Sequence, residues 1–246
     1  EDGSGTRGAF VELTGVEDDN GDNTTVEAEI ANRTDAVLTT VAGNEAAIGY
    51  VSLGSLNDTV KAVTVDGVEA TVDNVKSGTY TLSRPFNIAT KGEPTGVAKD
   101  FINFILSADG QAIVEEENYI KVDDAAPAFT SDGSSGQIAV GGSSSVSPVM
   151  EKLIEAYQTV NPNAKIELQT SDSTSGMTGA MDGTFAIGMA SRELKDEEAA
   201  QLTGTAIALD GIAVIVNTAN TVENLTMDQI RSIYVGETTD WADVAA

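Results

Sequence analysis

The sequence predicts an α/β protein with mostly parallel sheets and flanking helices. Three observations carry that prediction. Short segments of strand character alternate with segments whose apolar residues recur at helical spacing, over most of the 246 residues. The segment Ile207–Val216 is almost wholly apolar, as a central strand must be. Several strand candidates run directly into serine- and glycine-rich turns that open helices, the place where open α/β sheets gather ligands.

The elements follow in order. Residues 5–13 read as a helix, with Ser4 as N-cap, Phe10, Val11 and Leu13 on the apolar face and Gly15 as the stop. Residues 16–25 are polar and rich in turn formers, hence a surface loop. A helix near 34–43 precedes a buried strand at 47–53. Asp66-Gly67 separates two alternating stretches, 61–65 and 68–72, and predicts a hairpin. Pro85 keeps 84–90 extended. Residues 95–117 are helical, with Gly110 read as a break between two helices.

Residues 123–136 show no apolar period and read as a flexible linker. A strand at 137–140 enters the turn that begins at Gly141. Ser147 then caps a helix with Pro148 in its first position, and Val149, Met150, Leu153, Ile154, Tyr157 and Val160 recur along one face. Strands at 166–169 and 187–191, the central strand at 207–216 and a helix at 227–234 complete the chain.

Composition excludes several functions. The chain has no cysteine and no histidine, which removes disulfides, thiolate nucleophiles, histidine triads and Cys/His zinc sites. The net charge of −26 makes nucleic acid and anionic membrane surfaces poor partners. It serves solubility, with adaptation to high salt as a second reading. No apolar run reaches the ~18 residues of a membrane helix, and no signal peptide is evident, so the chain is expected to be mature or a fragment. The acidic clusters 17–19 and 115–117 read as solvated faces without the spacing of a calcium loop. No catalytic residue, metal or cofactor is expected.

Three turns carry the chemistry: Asp2-Gly3-Ser4-Gly5-Thr6-Arg7, Gly141-Gly142-Ser143-Ser144-Ser145-Val146-Ser147-Pro148 and Ser171-Asp172-Ser173-Thr174-Ser175-Gly176. Small hydroxyl residues and glycines at a helix start direct backbone N–H groups and hydroxyls at one point, which is the chemistry of an anion site. Each turn alone could be a plain N-cap. The long-range field of this chain repels anions, so attraction has to come from local dipoles and hydrogen bonds.

With these turns, and with 187–194, 210–217, 228–234, 42–50 and 84–90, the chain resembles the phosphate-binding proteins of ABC transporters, the Gram-positive type of the periplasmic-binding-protein superfamily. The resemblance implies a two-lobe type II architecture. It also implies circular permutation, because in that family the 137–246 segment comes first and the 1–122 segment second. A cut from a tandem of two such proteins is the alternative. Lobe B is expected to combine 1–84 with 211–246, and lobe A to span 85–210 with the linker at 123–136.

By the same resemblance, Ser144 and Ser145, then Ser173, then Ser4, Gly5 and Thr6 match three phosphate-contacting turns, and Asp2 matches a carboxylate paired with an arginine. That arginine would stand directly before Glu1, on a strand absent from this sequence, so weakened binding is expected. Arg192 stands where relatives differ and could supply positive charge. The resemblance implies closure of two lobes on inorganic phosphate, membrane permease subunits as partners, and an extracellular or periplasmic location. A monomer is expected, with domain swapping as the alternative. Two rival functions are a phosphatase-like enzyme, for which no base is evident beside the serines, and a scaffold that binds nothing.

Overall fold

The structure, a computed structural model, describes residues 3–244. In chain order its helices are α1 (Gly5–Thr14), α2 (Thr34–Gly43), α3 (Val72–Lys76), α4 (Gly96–Ile105), α5 (Ala108–Glu116), α6 (Ser147–Val160), α7 (Ser173–Asp182), α8 (Asp196–Ala199), α9 (Met227–Tyr234) and α10 (Trp241–Val244). Its strands are β1 (Glu17–Asp18), β2 (Gly21–Asp22), β3 (Ile48–Ser52), β4 (Val60–Ala62), β5 (Thr64–Val65), β6 (Ser83–Thr90), β7 (Gly136–Ser143), β8 (Ala164–Ser171), β9 (Ile187–Ala190), β10 (Thr203–Asn217) and β11 (Asn224–Leu225). The chain divides into two compact units. Unit 1 holds Thr6–Ser83 and Asp210 onward; unit 2 holds Arg84–Leu209 together with the N-terminal residues up to Gly5.

Unit 2 is built on the strand order β6-β9-β7-β8. The central β7 pairs in parallel with β8 on one side and β9 on the other, Val140 standing opposite both Leu168 and Ile187. β6 runs antiparallel to β9. Helices α6 and α7 connect these parallel strands, as parallel pairing requires. The core gathers Phe86, Phe101, Phe104, Val140, Met150, Leu153, Tyr157, Ile187 and Met189, all essentially without exposure.

In unit 1 the later half of β10 pairs antiparallel with β3 and with β4, Ala213 facing Val51 and Ile215 facing Gly49 and Ala62. Helix α2 closes one face, packing Val37, Leu38 and Val41 over Val51, Ala213 and Ile215. Phe10 stacks on Tyr50 with ring centroids 3.8 Å apart, and Tyr234 meets Phe10 edge-on. Trp241 donates its indole N–H to the Ala46 carbonyl at 2.9 Å. Both Tyr50 and Trp241 are packing residues here.

The alternation of elements yields the α/β class, but it fixes neither strand order nor direction. The sheets are mixed: the β8-β7-β9 set and the small β5-β11 pair are parallel, and the β1-β2, β3-β10, β4-β10 and β6-β9 pairs are antiparallel.

Four local expectations change. Asp66 and Gly67 take the left-handed φ values of a tight hairpin turn, 50° and 79°. Only a single bridge, Val65 to Val68, forms across it. The expected second strand ends there, because Thr71 caps α3 by accepting from the Asn74 N–H.

The break in the 95–117 helical region falls at Leu106–Ser107, not at Gly110. Ser107 caps α5 by accepting from the Gly110 N–H at 3.3 Å, and a Cβ on Gly110 would collide with the Phe104 carbonyl, so glycine permits the close approach of α5 to the end of α4. Ser147 is the first residue of α6, with Val146 at the cap position.

Residues 123–136 are not a free linker. The carboxylate of Asp100 on α4, 2% exposed, accepts from the Ser131 hydroxyl at 2.7 Å and the Asp132 N–H at 3.0 Å. Phe129 packs edge-on against Phe104, and its N–H donates to Asp109.

Candidate functional site

Three neighbouring strand ends of unit 2 set the site. Because β7 lies between β8 and β9 in parallel register, the chain leaves all three at one edge. Ser143 ends β7 opposite Ser171 at the end of β8, and Ser191 follows the last residue of β9. Each strand then feeds its next segment from that edge: β7 into the 144–146 turn and α6, β8 into Asp172 and α7.

Asp172 is the N-cap of α7. Its carboxylate accepts from the Ser175 N–H at 2.8 Å and the Ser175 hydroxyl at 2.6 Å. Ser173, fully buried, therefore sits in the first turn of a ten-residue helix, at its positive end. Its Oγ accepts from the Ser191 N–H at 3.0 Å and lies 3.4 Å from the Ser191 Oγ. The Ser191 Oγ accepts from the Ser143 hydroxyl at 2.9 Å, and the Ser143 Oγ accepts in turn from the Ser145 N–H at 3.3 Å. The Ser144 N–H is held by the Ser171 carbonyl at 2.9 Å. Four serines, Ser143, Ser145, Ser173 and Ser191, are each 4% exposed or less within this network.

The N-terminal turn joins the same place. The Gly3 carbonyl accepts from both the N–H and the hydroxyl of Thr174, each at 3.2 Å. A Cβ on Gly5 would lie 2.8 Å from the Ser191 Oγ and would collide outright with the Ser173 Oγ. Only a glycine lets the backbone at the start of α1 approach these two hydroxyls. Ser4, half-buried, lies between these two glycines. Thr6 is the next residue along α1, is buried, and belongs to unit 1. Asp2 lies outside the described residues.

Arg192 is already engaged. Its guanidinium forks onto the Glu198 carboxylate at 2.7 and 2.9 Å, donates to the Glu193 carbonyl at 2.9 Å and reaches the Thr174 hydroxyl at 3.4 Å. Burial disfavours the charged form of Glu198, but hydrogen bonds from Arg192 and the Lys195 N–H outweigh it and hold the carboxyl below its ordinary range. The positive charge of Arg192 is thus compensated within its own unit, and the pair ties the segment after β9 to the start of α7.

Sequence reasoning placed Ser144, Ser145, Ser173, Ser4 and Gly5 in three separate turns, and the fold brings these turns to one edge. It missed Ser143 and Ser191. Neither caps a helix, and the signal that could have found them is their position at the ends of adjacent parallel strands.

A cluster of buried hydroxyls and helix-start N–H groups is a donor set for an oxyanion. The sequence matches the PBP superfamily domain over residues 1–109 and 127–246. The phosphate-binding protein PstS 2 of Streptococcus agalactiae serotype V is 51% identical over 252 aligned residues, covering 100% of this chain and 86% of that protein. The chain belongs to the PstS family.

A solved structure of a phosphate ABC transporter phosphate-binding protein from Streptococcus pneumoniae superposes with a TM-score of 0.80 at 45% identity, covering 99% of this chain and 96% of that one. The PstS of Bacillus subtilis matches differently: 36% identity over 127 residues, 50% of this chain and 40% of that protein.

Proposed function

We propose that this PstS-family chain is the substrate-binding protein of an ABC transporter and captures inorganic phosphate for delivery to the membrane permease. It works as a binding protein, not as an enzyme. The observation that carries the reading is the meeting of the Ser/Gly turns around Gly5, Ser173 and Ser191. Ser144, Ser145 and Ser173 supply hydroxyl and helix-start donors; Ser4, Gly5 and Thr6 add those of α1. Recognition by a full set of local donors suits a chain whose net charge of −26 repels anions at long range. By the resemblance Asp2 matches a carboxylate of the family's site, and Arg192 acts through its neighbours, its charge being held by Glu198.

The whole-length match to the streptococcal protein, which this chain covers to 86%, supports an order of the two halves shared with that protein over a cut from a tandem. The half-length match to the Bacillus subtilis protein supports permutation relative to it. The two lobes of the transport protein are read as 1–84 with 211–246, and 85–210. No described helix is long and apolar enough to cross a membrane; the site of action is proposed to be the outer face of the cytoplasmic membrane.

Thermal melting with and without phosphate tests the reading. At a hundredfold excess over Kd, phosphate should stabilise the fold by about 2.7 kcal/mol. Ser173→Ala and Thr6→Val should each weaken affinity by about 1 kcal/mol or more. Equal binding by both variants and the parent would remove the site assignment.

A further inference from the structure

We propose that Thr174 is a positioning residue of the phosphate site: it clasps the N-terminal turn onto α7 and sets which way the Gly3–Ser4 peptide faces at the entrance to α1. The proposal rests on the function just given.

Gly3 has a φ of 82°, a left-handed value that glycine takes without steric cost. The same freedom lets the peptide after it turn over, so the local chain does not fix its direction. Thr174 does. The Gly3 carbonyl accepts from the Thr174 N–H and from the Thr174 hydroxyl, each at 3.2 Å. In a planar trans peptide the C=O and the N–H point to opposite sides. With the oxygen held on α7, the Ser4 N–H faces away from Thr174. The proposal places the anion on that side, where an inverted peptide would present a repelling carbonyl oxygen instead of an attracting N–H.

The Thr174 hydroxyl is itself directed. Its oxygen receives the Arg192 guanidinium at 3.4 Å. A guanidinium offers only donors, so the single Thr174 proton is turned to the Gly3 carbonyl. Arg192 is in turn forked onto Glu198 at 2.7 and 2.9 Å, and both residues are buried. A rigid ion pair thus holds a hydroxyl, and the hydroxyl holds a peptide. This gives Arg192 a part in the site that needs no contact with the ligand.

Packing keeps the turn in this seat. A Cβ on Gly3 would fall 2.5 Å from a carboxylate oxygen of Asp172 and 3.2 Å from the Thr174 Cβ. Asp172 is fixed as the cap of α7 by its two bonds to Ser175. Both donors of Thr174 are engaged by Gly3, so Thr174 acts on the ligand only through the N-terminal turn.

The test is calorimetric titration of the parent, Thr174→Val and Thr174→Ser with inorganic phosphate, with ligand-free melting of each. Valine keeps the shape and the backbone N–H but drops the hydroxyl; binding should weaken about fivefold, the effect of losing one uncharged hydrogen bond. Serine keeps the hydroxyl and should bind like the parent. Ligand-free melting should match the parent in both, because the bond lies at the surface and water replaces it. Equal weakening in Thr174→Ser, or a fall in ligand-free melting that accompanies the loss of affinity in Thr174→Val, marks a general packing role and overturns the proposal. Parent-like affinity of Thr174→Val in a parent that binds phosphate overturns it while leaving the function standing. A parent that binds no phosphate overturns both. If Thr174→Val does not fold, Thr174→Ala, which drops the same hydroxyl, takes its place: unchanged affinity there overturns the proposal.

Discussion

Removing the Asp100 carboxylate should free the segment that joins the two halves of the chain. Asp100 is buried on α4 and accepts four hydrogen bonds: from the Ser131 hydroxyl, the Asp132 N–H, the Tyr157 hydroxyl at 2.8 Å and the Asn161 side-chain amide at 3.4 Å. In Asp100→Ala, Ser131 and Asp132 can turn to water. Asn161 keeps the Ser134 carbonyl at 2.8 Å. The Tyr157 hydroxyl proton loses its acceptor inside the core, since its other contact, Asn161, is a donor.

One buried donor stranded, at ~1–3 kcal/mol, plus the loss of a charge-assisted bond, gives a cost of about 3 kcal/mol. For a chain of this length that lowers the melting temperature by roughly 6–12 °C. Melting and limited proteolysis together read the outcome. The variant should melt earlier and be cut within 123–136 under conditions that leave the parent whole. A change below about 0.5 kcal/mol with unchanged proteolysis would refute the view of this segment as a tied strap.

Other consequences follow from the same contacts. Burial disfavours ionisation of Asp100, but its four hydrogen bonds outweigh that and lower its pKa. Its contribution to stability is therefore complete above the ordinary aspartate pKa and is lost as pH falls through the lower folded value; a pH series of melts should show that acid loss shrink in Asp100→Asn. Burial and the neighbouring Asp100 push Tyr157 up to about 12, so this hydroxyl remains a donor throughout that range, and Tyr157→Phe should cost less than Asp100→Ala. Glu198→Gln leaves Arg192 buried without its counter-charge and should cost about 3 kcal/mol or more in urea unfolding. Gly5→Ala drives a methyl into the Ser173 Oγ and should lower phosphate affinity at least tenfold while far-UV dichroism stays that of the parent.

The sequence made the framework legible where composition and period act together. The apolar run 207–216 marks β10, and the Met150-Leu153-Ile154-Tyr157 face marks α6, because each buries the face its period defines. It was less informative where tertiary contacts decide. Nothing local distinguishes a Ser/Asp-rich linker from one bound to a carboxylate some 30 residues away, as Ser131 and Asp132 are to Asp100. Gly110 reads as a helix break but works as a packing residue. At the proposed site, Ser173 opens α7 and Ser144 and Ser145 stand in the turn before α6, so these serines carry a local signature. Ser143 and Ser191 carry none, and only the register of β7 against β9 brings them together. The Arg192–Glu198 pair was equally silent, since six residues of separation mean nothing until the turn after β9 folds back.

Isothermal titration of the purified chain with phosphate, with sulfate as the control and at low and high salt, tests the central claim most directly. Saturable binding of phosphate at both ionic strengths is predicted, because local donors and not the overall field hold the anion. A folded chain that releases no heat with phosphate, or whose apparent binding vanishes in high salt, would contradict it.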